Sequence, residues 1–204
     1  MSKPLAGVKV VEMSTFVAGP VSARLLADLG AEVIKVERPE GDAWRATGVS
    51  YLPQRFSQKE NPVFDIYNAG KKHVALNLKT EAGMEAFRKL LAEADVFITN
   101  TRPNALKRLG LSYEDLKEKY PALIYGILLG YGEEGPESEK PAFDTSAFWA
   151  KSGFLRDQSL KREDYAPVQP PYSVGDTITG YLLMGEICAA LYRKKETGLG
   201  DQSD

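Results

Sequence analysis

In the stretch "YSVGDTITGYLLMGEICAALYRKK" (172–195), a single acidic residue, Asp176, stands between a glycine and a long apolar-periodic run. The run predicts a helix from about 176 to 195, with Asp176 as its N-cap accepting first-turn N–H bonds. That role needs no function. The same place would keep the carboxylate ionised through the helix dipole, and Gly175 would leave room for a ligand. An ionised carboxylate at a helix start can also act as a nucleophile toward an activated acyl group. Spacing alone does not choose between cap and nucleophile. Positive residues recur where strands should end: Arg38, then Lys71, Lys72 and Lys79, then Arg102, Lys107 and Arg108 following Asn100. Gathered on one rim, they would pair with the phosphate oxygens of a multiply phosphorylated ligand. For Lys71, Lys72 and Lys107 taken singly, solvated surface charge is the simpler reading. A lone His73 and a lone Cys188 make neither a His/Cys metal site nor a Cys–His pair.

The elements that must position these residues alternate. "VKVVEM" (8–13) is a β-branched strand run, and Val21, Leu25, Leu26 and Leu29 mark one helix face ended by Gly30. "AEVIKVERP" is a second strand. Residues 40–72 read as a long irregular loop, which in a compact domain is usually functional or covered. "HVALNL" (73–78) and "DVFITN" (95–100) are strands around a helix capped by Thr80, with Met84, Phe87, Leu90 and Leu91 inward. "RPNALKRLG" and "SYEDLKEKYP" are short helices, the second capped by Ser112. "LIYGILLGYG" is a buried strand, "FDTSAFWAKSGF" is helical, and 157–172 is a Pro-rich connector. The pattern predicts an α/β fold: a Rossmann-like, doubly wound, mainly parallel sheet with ligands at the carboxyl ends of its strands. The first βα turn, "MSTFVAGPVSAR", lacks G-x-G-x-x-G, so a dinucleotide fingerprint is missing.

With 204 residues the chain is long enough for one large domain. A net charge of −2 gives no broad pull toward nucleic acid or anionic membrane. One cysteine, no signal-peptide stretch and no run of membrane-spanning length predict a cytoplasmic protein.

"PLAGVKVVEMSTFVAGPVSARLLADLGAEVIKVERPEGD", "NAGKKHVALNLKTEAG", "ADVFITNTRPNALKRLGLSYEDLKEKYPALIYGILLGYGEEGP" and "GDTITGYLLMGEICAALYRKKETGLGDQ" together resemble the class III CoA-transferases. The likeness is greatest to members that move CoA between 2-hydroxy and enoyl acids. The resemblance implies that coenzyme A, as acyl-CoA substrate rather than resident cofactor, lies across the Rossmann-like domain. Val17 and Ala18 would border the adenine end, and Arg38, Leu76, Lys79, Asn100 and Arg108 would help hold nucleotide and pantetheine. Asp176 matches the family's catalytic aspartate. Its carboxylate attacks the thioester to give a mixed anhydride and CoA thiolate. The thiolate returns to give an aspartyl-CoA thioester, and a carboxylic acid acceptor collects the CoA. Related α-methylacyl-CoA racemases add a histidine in a G-H-D stretch. The matching stretch here is "AFD", with Phe143 in that place, so a two-base proton shuttle lacks one base.

The resemblance spans the family's N-terminal half. It implies that residues 1–204 form the CoA-binding domain, with the small domain and the returning C-terminal segment absent. A truncated product, a fragment or half of a split protein is expected, and a catalytically idle CoA-binding module is the rival reading. The family forms homodimers of interlocked chains, so a homodimer is also expected.

Overall fold

The computed structural model describes residues 2–49, 60–158 and 171–204. Among them, strands β1 (Lys9–Met13), β2 (Glu32–Glu37), β3 (Lys72–Ala75), β4 (Val96–Thr99), β5 (Ile124–Ile127) and β6 (Gln202–Ser203) form one sheet in the order 3-2-1-4-5-6. Every neighbouring pair is parallel. This is the doubly wound Rossmann order, as the βα alternation predicts.

Period-two alternation sorts the buried side chains into two layers. Val10, Val96, Ile98 and Ile124 pack with Leu26 of α1 (Ala18–Asp28) and with Leu183 and Ile187 of α8 (Val174–Thr197). Val11, Phe97, Tyr125 and Ile127 pack on the opposite layer with Phe87 and Leu91 of α4 (Glu81–Ala92) and Leu106 of α5 (Pro103–Leu109). There the Phe97 ring meets Phe87 and Tyr125 edge-on, at centroid distances of 5.7 and 5.4 Å. The expected caps form. Thr80 Oγ1 accepts the Gly83 N–H at 3.2 Å, and Ser112 closes a capping box with Asp115 at the start of α6 (Tyr113–Leu116).

Several expectations are corrected. The stretch 40–72 is not all loop: it holds α2 (Trp44–Val49) and α3 (Pro62–Asn68). The signal for α3 lay in "NP", since Asn61 caps the Phe64 N–H at 3.0 Å and Pro62 sits in the first turn, where its missing N–H costs nothing. Residues 50–59 of that stretch, and 159–170 of the Pro-rich connector, lie outside the described residues. Helix α1 starts at Ala18, ahead of the Val21 expected, because Pro20 is tolerated in a first turn. The "FDTSAFWAKSGF" segment is π-helical over Thr145–Lys151, followed by α7 (Phe154–Asp157). Lys71 is no surface charge but is fully buried against Glu12.

The last helix begins at Val174, not Asp176. Ser173 is its N-cap residue, in left-handed backbone with φ 59°, and Asp176 lies within the first turn. The prediction that no segment reaches membrane-spanning length also fails on length and composition: α8, with 24 residues, is long and apolar enough. Its inward face packs on α1 and β5, whereas Ile178, Tyr181, Leu182 and Tyr192 are exposed. The turn after α8 leads into β6, which pairs Gln202 with Tyr125 and Ser203 with Gly126.

Candidate active site

The strand order reverses between β1 and β4, and doubly wound sheets leave a ligand crevice at that point. A cavity of about 600 Å³ opens there. It is lined by the β1–α1 turn (15–18), by Asn100 and Arg102 after β4, by 128–130 after β5, by 141–144, 147, 148 and 152, and by the first turns of α8.

Packing between two helices brings Asp176 to this place. Gly180 lies where α8 crosses α1, and a Cβ there would stand 2.8 Å from the Ala18 carbonyl oxygen and from Val21. The missing side chain lets the backbones close in. Asp176, one turn earlier on the same face, then overhangs the N-terminus of α1. Gly175 was expected to leave room for a ligand. Instead the Phe148 ring occupies that room, and a Cβ at 175 would collide with it.

The Asp176 N–H donates to Asp144 Oδ1 at 2.9 Å, and the other Asp144 oxygen accepts the Trp149 indole N–H at 3.0 Å. Asp144 is only 9% exposed, so a second carboxylate is held beside the first. Burial, followed by the charge of Asp144, pushes the Asp176 carboxyl up to about 6. The sequence reading had the helix dipole keeping this group ionised. Desolvation and a like charge outweigh the dipole, although the ionised form still prevails at neutral pH. Tyr67 of α3 belongs to the same neighbourhood: burial raises its hydroxyl first, and Asp176 and Asp144 then add to the shift.

Of the eight residues that the family resemblance implies for the site, the fold gathers Val17, Ala18, Asn100 and Asp176 around the cavity. Asn100 spends its amide on the turn, accepting the Thr15 N–H at 3.0 Å and donating to the Thr15 carbonyl at 2.8 Å. The other four are not among the lining residues. Arg38 is exposed just beyond β2, and Leu76, whose N–H donates to the Glu37 carbonyl at 2.9 Å, sits beside it. Lys79 is exposed ahead of α4, and Arg108 is exposed on the last turn of α5. Arg102 lines the cavity, with its guanidinium donating to the Glu139 carbonyl at 3.0 Å. Phe143 lines it as well, edge-on to Phe16 at 5.7 Å, and puts no titratable group there. His73 is at a different place, its Nδ1 2.8 Å from Glu37 Oε1.

Sequence reasoning missed Asp144, Phe148 and the buried charges Glu12 and Lys35. A signal for the last two existed, since each interrupts an apolar strand run. Asp144, which reaches the site across 32 residues of sequence, stood in view only as the last residue of "AFD", and nothing in that stretch tied it to Asp176. Among the described residues, no three His, Cys, Asp or Glu side chains gather as metal ligands.

The family model for CoA-transferase family III matches residues 5–204. The chain belongs to this family. It is 44% identical over 198 residues to the (R)-2-hydroxy-4-methylpentanoate CoA-transferase of Clostridioides difficile, covering 97% of this chain and 49% of that protein. It is also 44% identical over 197 residues to the cinnamoyl-CoA:phenyllactate CoA-transferase of Clostridium sporogenes, covering 97% and 47%. A crystal structure of a CAIB/BAIF family protein from Brucella suis superposes with a TM-score of 0.87 at 35% identity, over 99% of this chain and 52% of that one. This family III chain thus spans about half the length of the curated relatives it matches, and CoA thioesters are the family's substrates.

Proposed function

We propose that this chain is the CoA-binding, nucleophile-bearing part of an enzyme that moves CoA from an acyl-CoA to a carboxylic acid. A 2-hydroxy or enoyl acid fits best, as in the names of the two clostridial relatives. The observation that carries the reading is Asp176, desolvated in a cavity at the sheet's switch point and facing Asn100 and the N-terminus of α1. In the proposed cycle the Asp176 carboxylate attacks the thioester carbonyl. The C–S bond breaks and the CoA thiolate leaves, and a mixed anhydride remains. The thiolate attacks the aspartyl carbonyl, releasing the donor acid and leaving an aspartyl-CoA thioester. The acceptor carboxylate attacks that thioester to form a second anhydride. The thiolate then takes its acyl group and restores Asp176. Burial favours the attack because a carboxylate stripped of water is a stronger nucleophile.

Val17, Ala18, Arg38, Leu76, Lys79, Asn100 and Arg108 are proposed to hold CoA, the exposed cations taking its phosphates. A homodimer and a cytoplasmic setting complete the proposal. A racemase is disfavoured, since Phe143 stands where a second base would be needed.

The test is Asp176→Ala in the full-length enzyme that carries this chain. Transfer should vanish while CoA still binds, and hydroxylamine added during turnover should trap an adduct on Asp176 of the wild type, read by mass spectrometry. Full transfer by the variant would reduce Asp176 to a helix residue. The rival reading is an idle CoA-binding module. CoA binding without transfer by the 204-residue chain would support it.

A further inference from the structure

The β1–α1 turn does not hold itself. Phe16 has φ 64°, in the left-handed region that a bulky residue rarely adopts. Side chains from elsewhere grip the backbone around it. The Phe16 N–H donates to Asp42 Oδ1 at 3.2 Å, and the same oxygen accepts the Trp44 N–H at 2.9 Å. Asp42 Oδ2 lies 3.0 Å from the Lys35 ammonium. Lys35 also donates to the Ser14 carbonyl at 2.8 Å and to Glu12 Oε1 at 3.0 Å. Glu12 Oε2 meets Lys71 at 2.6 Å, and Lys71 donates to the Pro20 carbonyl at 2.9 Å. All four charged side chains are wholly shut off from solvent. The two carboxylates balance the two ammoniums.

Apolar residues of equal volume would stabilise this interior at least as well as buried ion pairs. What apolar residues cannot supply is a directional hold on the Ser14, Phe16 and Pro20 backbone, which brackets Val17 and Ala18 at the cavity. We propose that Asp42, tied down by Lys35, is a positioning residue for the site. It keeps the turn in its left-handed conformation, so that Phe16, Val17 and Ala18 present the surface on which acyl-CoA lies. This inference rests on the reading of the cavity as a CoA site.

The experiment combines calorimetric titration with CoA, steady-state transfer, and hydrogen exchange at the Phe16 and Trp44 amides, all on the full-length enzyme. Asp42→Ala should raise the Kd for CoA and the KM for acyl-CoA by about tenfold or more, leaving the acceptor's KM within about twofold. Exchange at both amides should quicken while the core strands stay protected. Asp42→Asn, which keeps an acceptor but loses the charge facing Lys35, should fall in between and serves if the alanine variant does not fold. A lower melting temperature with unchanged CoA affinity and unchanged exchange would make Asp42 merely structural and overturn the proposal. If the wild type takes up no CoA, the transferase reading falls. The exchange arm then decides alone: faster exchange at Phe16 and Trp44 supports the grip, and unchanged exchange overturns it.

Discussion

Asp176 carries two opposing demands at once. Its folded pKa of about 6 lies above the ordinary 3.8, so the folded state binds the proton more tightly than the unfolded chain does. Below pH 3.8 the group is protonated in both states and costs nothing. As the pH rises from 3.8 to 6 the unfolded chain ionises first, so stability falls, and the loss is complete above 6. Asp176→Asn should therefore abolish transfer yet stabilise the protein at pH 7 by on the order of 1–3 kcal/mol. The gain should grow between pH 4 and 6 and then level off, as thermal melts of both proteins across that range would display. A variant less stable than wild type at pH 7 would contradict the assigned environment. If Asp176 is the nucleophile proposed above, transfer by the wild-type full-length enzyme should rise with pH around 6, because only the ionised carboxylate could attack, and a pH–rate profile measures this directly.

Among the elements, the α1–α8 crossing decides the site. Glycine inside a helix ordinarily costs about 1 kcal/mol relative to alanine, so Gly180→Ala would stabilise an isolated helix. Here the new Cβ meets the Ala18 carbonyl oxygen and Val21, and a backbone atom cannot step aside. Gly180→Ala should therefore destabilise by roughly 1–3 kcal/mol, read as a lower denaturant midpoint. It should also reduce transfer, because α8 carries Asp176 away from α1 as it shifts. By contrast, Ile98→Ala in the fully buried β4 should cost about 2–5 kcal/mol through its cavity. Its effect on transfer should follow stability alone.

For the whole molecule, the buried charges set behaviour in acid. Burial works against ionisation of Glu12, but Lys35 and Lys71 outweigh it and bring its carboxyl down to about 2 from the usual 4.5. A depressed carboxylate stabilises above its unfolded pKa, and that contribution disappears as the pH falls from 4.5 to 2. The protein should lose on the order of 3 kcal/mol across that window from this residue. Melts from pH 5 to 2 should be flatter in the charge-balanced Glu12→Gln/Lys71→Met variant, which removes one cation with one anion. An equally steep acid loss in that variant would move the effect to other carboxylates.

Strand periodicity, the caps at Thr80 and Ser112, and the alternation of strand and helix were enough to read the parallel sheet from the sequence. Each is a local property, in which a residue's type acts on its own backbone or on one neighbouring turn. The motifs likewise singled out Asp176, Asn100 and the first turn, and the fold gathers these at one cavity. The environment of Asp176 was not legible. Its neighbour Asp144 is distant in sequence, and its pKa is set by desolvation, which exists only once the chain has closed around it. Gly175 was misread because the ring that fills its space belongs to the π-helical segment. Lys71 looked like surface charge because a lysine carries no mark of burial until Glu12 of β1, distant in sequence, lies opposite it. Local rules determined which elements form, and long-range packing decided which charges lose their water and which carboxylate is left poised beside the cavity.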